Sequence, residues 1–532
     1  MTGSEPLTTS YWPADESEPL PELTVGDLLR EAAADAPDRI ALVEGIGESR
    51  RRWTYRKLLA TSERVGRALC DEFDPGDRVA VWAPNIPEWL FLEFGAALAG
   101  LVLVTVNPAY RPQELRHVLG QSGAAGLFMV DEFRGSPMRE FLDSVRDDLP
   151  ALRQVIRLTE FDEWLEVAPN QGSLPEVDPR SPAQIQYTSG TTGVSKGALL
   201  THRAVVANAR FDAAAVEVGP QDVWLDPMPL FHCGGCVIAT LGSVWARATH
   251  IPVLRFDPPL VLDLVEQEHA SVLSAVPTMI ISLMEDPTFA DRDLSWLRAV
   301  VSGGSKVAAD LVRLVETTLG ARVSITYGQT EASPVITQTH LSDSPEDKAE
   351  TIGRPHPHTE VKIADLRTGE PVPIGAEGEL CTRGYLVMDG YFEMAERTAE
   401  AIDEEGWLHT GDLCMMDERG YCSVEGRLKD MIIRGGENIY PREIEEILYT
   451  HAGVGDVAVV GAPDPKWGEQ IVAFVRPSPG AEPSAGELSD FVRSHLSPQK
   501  VPKRWYFVDS MPLTPSGKIQ KFELRSMLEG AR

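Results

Sequence analysis

The sequence predicts an α/β protein: a large N-terminal domain of parallel sheet packed with helices plus a small β subdomain, and a small α+β C-terminal domain. Three observations predict it. From residue 78 onward, β-rich apolar runs alternate with helical patterns, the pattern of a mostly parallel sheet covered by helices. From about residue 361 the runs become short and are separated by Gly/Pro turns, as in a small antiparallel sheet. After Lys429 a compact alternation of helix and strand patterns closes a chain of 532 residues, long enough for at least two domains with ample core.

In order, residues 1–22 are acidic and rich in Pro and Ser and are expected to be poorly ordered. A large domain follows over 23–428, with a strand at 78–83, a helix at 86–100, a strand at 101–106, a helix at 111–120 and a strand at 126–130. The apolar stretch 90–106 contains Glu93 and is short for a membrane span, so it reads as a helix running into a strand. The β subdomain covers 360–428, with strands near 361–364, 378–381 and 421–424. The C-terminal domain, 429–532, carries a helix at 441–450, strands at 456–461 and 470–477, a helix at 485–496 and a strand at 505–508. No internal repeat is visible.

Hydrophobic content of 43% and charged content of 24% are those of an ordinary globular protein. A net charge of −31 argues against nucleic acid or an anionic membrane as the main partner. The charge is uneven: residues 429–532 hold 13 Lys+Arg against 14 Asp+Glu, a net of −1, leaving −30 on residues 1–428. The nearly neutral tail is the better host for a polyanionic ligand, although small domains are often less charged in any case. Six cysteines are too few and too scattered for a disulfide scaffold. Cys233-Gly-Gly-Cys236 mimics a redox or zinc pair, but no second pair stands at suitable spacing, and small pocket lining is the better reading. The first residues lack a basic region followed by an apolar core, so no signal peptide is expected and the location is expected to be cytoplasmic.

The most informative stretch is Tyr187-Thr-Ser-Gly190-Thr-Thr-Gly193-Val-Ser-Lys196-Gly197, in which glycines, hydroxyls and a lysine crowd together. Glycine lets the backbone approach a ligand closely, and turned N–H groups, hydroxyls and an ammonium together specify a polyphosphate cradle. The P-loop spacing fails, because Ser195 stands where the second glycine is required. Gly193-Val-Ser195-Lys-Gly197 fits the nucleophile elbow G-x-S-x-G, but an elbow needs a strand before it and a helix after it. Here a Gly/Thr-rich loop precedes and the β-leaning run 198–201 follows.

The loop resembles the phosphate loop of the adenylate-forming superfamily, which holds acyl-CoA synthetases, luciferase and peptide-synthetase adenylation domains. Five further motifs stand in that family's order. Pro229-Leu-Phe-His232 resembles the aromatic gate segment, and Tyr327-Gly-Gln-Thr-Glu331 the adenine and magnesium motif. Thr410-Gly-Asp412 resembles the ribose motif, and Gly426-Arg427-Leu-Lys429-Asp430 the hinge, running on to Arg434-Gly-Gly436. Pro512-Leu-Thr-Pro-Ser-Gly517-Lys518 resembles the catalytic lysine loop. Ser195 departs from the family where many relatives have proline.

The resemblance implies two half-reactions: ATP adenylates a carboxylic acid, then the acyl group passes to a thiol, with coenzyme A as co-substrate and a carrier protein as the alternative acceptor. It implies that Thr188, Ser189, Gly190, Thr191, Thr192, Gly193 and Lys196 hold the phosphates. Glu331, with Thr188, would hold Mg²⁺, whose preference is for hard oxygen ligands. Thr330 would meet the α-phosphate, Tyr327 would stack on adenine against Gly303, Gly304 and Ser305, and Gly328 and Gln329 would belong to the same nucleotide site. Asp412 would accept both ribose hydroxyls, and Arg427 would add a contact to ribose or phosphate. Lys518 would be the catalytic cation, Lys429 the hinge, and Gly435 and Gly436 the passage for the pantetheine arm of a mobile C-terminal domain. His232 would gate an acyl pocket involving Cys233, Gly234, Gly235, Val276, Val301, Val335 and Ile336. The gate carries no carboxylate to pair an amino-acid ammonium, so a hydrocarbon acid is expected. The stretches 354–360, 431–441 and 516–522 resemble medium-chain fatty acyl-CoA ligases, which points to a medium- or long-chain fatty acid, with aryl or branched acids left open.

Overall fold

Proline at the first helical position and glycine just past the last turn bound the helix Pro87–Ala99, with Gly100 closing it in the left-handed region at φ +69°. The helix is apolar nearly all round and is buried accordingly, Glu93 included. The strands on either side of it in sequence, Arg78–Trp82 and Val102–Thr105, pair in parallel. These coordinates are a computed structural model, and they describe residues 6–46, 50–168, 172–188, 195–304, 307, 309–434, 437–464, 466–513 and 519–530.

The chain divides into two compact units. The larger comprises Trp12–Val361 and Thr382–Leu408; the other comprises Met1–Tyr11, Lys362–Cys381 and His409–Arg532. In the larger unit one sheet has seven strands, in the order Gly390–Tyr391, Lys196–Thr201, Pro182–Thr188, Val102–Thr105, Arg78–Trp82, Gly126–Met129 and Gln154–Arg157. Its centre is parallel and its Lys196–Thr201 edge antiparallel. Alternate residues of the strands feed two cores: Val79, Val81 and Leu103 go to one, Ala80, Trp82, Val102 and Val104 to the other.

The second sheet of this unit has nine strands built on a parallel centre, Thr249–Pro252, Val223–Asp226, Val272–Ser274, Ala299–Gly303 and Arg322–Gly328. Antiparallel strands finish both edges. This is the α/β architecture that the alternation predicts.

In the other unit a five-stranded sheet includes the antiparallel pair Leu408–Met416 and Cys422–Arg427. A further sheet pairs Val454–Asp464 with Gly468–Pro477 and adds Arg504–Phe507 in parallel. Its two faces also bury separate cores, Val457, Val459 and Ile471 on one side, Ala458, Val460 and Phe474 on the other. The helices Pro441–Tyr449 and Ala485–His495 stand where their periodicity puts them.

The expectation of a poorly ordered 1–22 is corrected over residues 6–22. Ser10 is fully buried; its N–H donates to the Val372 carbonyl, and its own carbonyl accepts from the Ile363 N–H. Farther along, Glu18 and Glu22 pair with Arg210 and Arg203. A segment too polar to build a core is ordered here because it borrows a strand edge and surface arginines. Among the described residues no helix is long and apolar enough to cross a membrane.

Candidate active site

Two strands frame the glycine-rich stretch. Pro182–Thr188 and Lys196–Thr201 pair antiparallel down to Thr188 opposite Lys196. A strand therefore runs into the stretch at Thr188, and a strand rather than a helix follows it, as the β-leaning run 198–201 predicts. The second strand excludes a nucleophile elbow at Ser195. Ser189, Gly190, Thr191, Thr192 and Gly193 lie outside the described residues. Gly197 sits where a Cβ would stand 2.7 Å from Ile185 and 3.1 Å from the Tyr187 ring, and its carbonyl accepts the Phe392 N–H at 2.8 Å. The edge strand Gly390–Tyr391 is thereby laid against Leu199 and Ala198.

That edge strand brings together three residues far apart in sequence. The Tyr391 hydroxyl donates to Glu331 Oε1 at 2.7 Å, and the Lys196 ammonium lies 3.9 Å from the centroid of the Tyr391 ring. Tyr391 is buried, and burial beside the Glu331 carboxylate pushes its hydroxyl well above the ordinary phenol range, so it stays a donor. The Met388 N–H binds the Glu331 carbonyl at 2.9 Å, which fixes the backbone of the same residue. Sequence reading singles out Lys196 and Glu331 but misses Tyr391. Nothing in the spacing of 196, 331 and 391 signals a contact that only sheet topology creates.

Glu331 stands in the single turn Thr330–Ala332, just after the strand Arg322–Gly328. Gly303 and Gly328 end two adjacent parallel strands at their carboxyl ends, the side of the sheet on which open α/β folds bind ligands. A Cβ on Gly303 would lie 2.4 Å from the Thr326 carbonyl, and one on Gly328 2.0 Å from that of Pro334. Both positions accept only glycine. Tyr327 lies between Thr326 and Gly328 on this strand, and Gly304 follows Gly303 at φ +76°. Ser305 lies outside the described residues.

His232 leads into the helix Gly234–Leu241, its Nδ1 accepting the Gly234 N–H at 3.1 Å. In the neutral ring the proton therefore sits on Nε2. Gly235 has no room for a Cβ, which would be 2.5 Å from the Pro229 carbonyl. Cys233 and Cys236 are fully buried and bond to Gln186, Cys233 Sγ donating to Oε1 at 3.0 Å and Nε2 donating to Cys236 Sγ at 3.0 Å. The chain of contacts continues through Gln184 to Glu93, at 2.8 Å each. Burial pushes the Cys233 thiol up to about 12, helped by the nearby Glu331 charge, and holds Glu93 well above the usual carboxylate range. Two neutral thiols sharing one amide are neither a reactive redox pair nor a zinc pair. Val301 and Val335 pack in one apolar cluster with Trp224 and Ile238, and Val276 and Ile336 are buried.

In the other unit the hairpin of Leu408–Met416 and Cys422–Arg427 sets Asp412 opposite Arg427. Arg427 Nε donates to Asp412 Oδ1 at 2.9 Å, and the Asp412 N–H donates to Thr410 Oγ1 at 3.2 Å. Arg427, to which the resemblance gives a contact with ribose or phosphate, thus also holds the Asp412 carboxylate. Lys429 sits in the turn Leu428–Asp430, which Arg525 ties down through a 2.8 Å ion pair with Asp430. Gly435, Gly436 and Lys518 lie outside the described residues.

The family model for AMP-binding enzymes matches residues 29–392, and that for their C-terminal domain matches 443–518. The chain belongs to the AMP-binding enzyme family. Among curated relatives, YngI of Bacillus subtilis, which carries an acyl-CoA synthetase name, is 43% identical over 531 residues, 94% of this chain and 96% of its own. The medium-chain acyl-CoA ligase ACSF2 of Homo sapiens, a mitochondrial protein, is 35% identical over 542 residues, covering 95% of this chain and 88% of that one. The ATP-bound crystal structure of MatB from Rhodopseudomonas palustris superposes with a TM-score of 0.87 at 28% identity, covering 96% of this enzyme and all of that chain.

Proposed function

We propose that the enzyme activates a medium- or long-chain fatty acid as its acyl-adenylate and transfers the acyl group to coenzyme A, releasing AMP and pyrophosphate. The observation that carries this reading is the Lys196–Tyr391–Glu331 cluster beside the glycine-ended strands, a cation and a positioned carboxylate in one place. A carboxylate is a poor acyl donor because its leaving group would be oxide; transfer of AMP makes a mixed anhydride with a good leaving group. The protein's work is to align the carboxylate with the α-phosphate and to offset charge on phosphorus and the departing pyrophosphate.

Residues 188–196 hold the β- and γ-phosphates, Thr330 donates to the α-phosphate, and Tyr327 stacks on adenine against Gly303, Gly304 and Ser305. Asp412, oriented by Arg427, accepts the ribose hydroxyls. The donor set fits Mg²⁺: Glu331 offers a carboxylate and Thr188 a hydroxyl, both hard oxygens. Bound there, the ion would neutralise phosphate charge. Lys518 supplies the cation at the reacting carboxylate, and rotation about Lys429 then exchanges it for Gly435 and Gly436, which let the pantetheine arm through. His232 gates the acyl pocket of Cys233, Gly234, Gly235, Val276, Val301, Val335 and Ile336. A cytoplasmic location goes with this reading.

Pyrophosphate release measured from ATP and Mg²⁺ across acids from acetate to palmitate, with and without coenzyme A, tests it. The expected result is coenzyme A-dependent turnover peaking at one medium or long chain length. A single burst indifferent to coenzyme A would replace it with loading of a carrier protein. Silence with every fatty acid but turnover with aryl acids would overturn the acyl assignment.

A further inference from the structure

Three donors outside the nucleotide motifs converge in the smaller unit. Glu379 and Cys381 are two residues apart on the strand Gly378–Gly384, so both point to one face of the sheet, and His409 comes from the adjacent strand Leu408–Met416. One ligand atom from each lies within 4.8 Å of the other two, the only such group of His, Cys, Asp and Glu among the described residues. His409 Nδ1 is 3.5 Å from Cys381 Sγ and 2.8 Å from Glu379 Oε2.

We propose that Glu379, Cys381 and His409 form a binding site for a divalent cation of zinc's type, separate from any magnesium carried by ATP. Metal–ligand bonds of roughly 2.0–2.3 Å in a tetrahedron hold sulfur and nitrogen about 3.5 Å apart and nitrogen and oxygen about 3.3 Å apart. The sulfur–nitrogen edge already has that length, and the nitrogen–oxygen edge has to open by about 0.5 Å. A thiol, an imidazole and a carboxylate are the ligands zinc takes, whereas Mg²⁺ and Ca²⁺ prefer oxygen alone.

The support around the ligands is also present. Glu379 Oε1, the oxygen turned away from His409, accepts the Gly411 N–H at 3.0 Å and so fixes the carboxylate. Cys381 is fully buried while the His409 side chain is 34% exposed, which leaves an approach for the ion and a place for a water as fourth ligand. The rival account is an imidazole–carboxylate hydrogen bond that merely braces the hairpin. Occupancy would also be felt at Gly411, next to Asp412.

The test uses the full chain, stripped with a chelator and titrated with Co²⁺ alone, then with Zn²⁺ as competitor. One equivalent of Co²⁺ is expected to give a thiolate-to-cobalt charge-transfer band that Zn²⁺ abolishes. Cys381→Ser should remove the band. Glu379→Gln, which keeps an acceptor for Gly411, and His409→Gln should each weaken binding at least ~10-fold, with melting temperature reporting whether each variant is folded. Cys233→Ser should leave the band unchanged. Absence of the band in wild type, its survival in Cys381→Ser, or unchanged affinity in both other variants would overturn the site.

Discussion

Replacing Tyr391 by Phe removes one oxygen and leaves the ring. The ammonium of Lys196, 3.9 Å from the ring centroid, keeps its cation–π partner, while Glu331 Oε1 loses a 2.7 Å donor. A hydrogen bond to a charged acceptor contributes about 1.5–3 kcal/mol. If Tyr391 positions Glu331 for its work on the nucleotide, that energy is withdrawn from the adenylation transition state. At about 1.4 kcal/mol per factor of ten, the expected loss is roughly 10- to 150-fold in kcat/KM for Mg·ATP. ATP–pyrophosphate exchange at saturating acid measures this directly. Thioester formation from preformed acyl-adenylate, measured beside it, should change little. Exchange within twofold of wild type in a variant of unaltered melting temperature would refute the positioning role.

Other outcomes follow from the proposed roles and from the burial of individual side chains. Lys518→Ala should cost on the order of 10²–10³ in adenylation and spare thioester formation from acyl-adenylate; equal loss in both half-reactions would remove Lys518 from its role. Lys429→Pro should damage the second half-reaction far more than the first, and equal damage would refute the hinge. His202 is buried and desolvation holds it down to about 4, so the unfolded chain takes up this proton first as pH falls below about 6.5. Its contribution is therefore complete above about pH 6.5 and is lost progressively toward about pH 4, amounting to about 3 kcal/mol. Urea midpoints across that range should fall less steeply in His202→Asn; an identical slope would refute the assignment. Cys70 is exposed and the other five cysteines are buried, so the folded enzyme should take up about one equivalent of a thiol reagent and the denatured chain all six.

Much of the fold was legible because its signals are local. Pro87 and Gly100 mark both ends of a helix whose apolar residues leave no polar face, and the neighbouring strands are runs that a parallel sheet buries on both sides. The motifs that carry the family resemblance are legible for the same reason, since each is a contiguous string. What sequence reading missed depends on distant partners. Tyr391 gains its meaning only from an edge pairing with Lys196–Thr201, and the bond from Arg427, a residue the motif does single out, to Asp412 only from their facing each other across a hairpin. Residues 6–22 read as disordered because composition reports the core a segment could build, not the edge it could borrow. Glu93, an acid in an otherwise apolar helix, is held by Gln184, 91 residues away in sequence.

The two-residue strand Gly390–Tyr391 is a short edge element, and short edges are where folded proteins open first. If it peels away on warming, Lys196 loses its aromatic partner and Glu331 its donor, and one core gives up the Tyr391 ring, while the central parallel strands keep their pairing. Heat would then silence adenylation at temperatures where circular dichroism still reports a native sheet. On that account the temperature at which adenylation is lost would follow the few contacts at one rim of the sheet, and strengthening that rim would raise it.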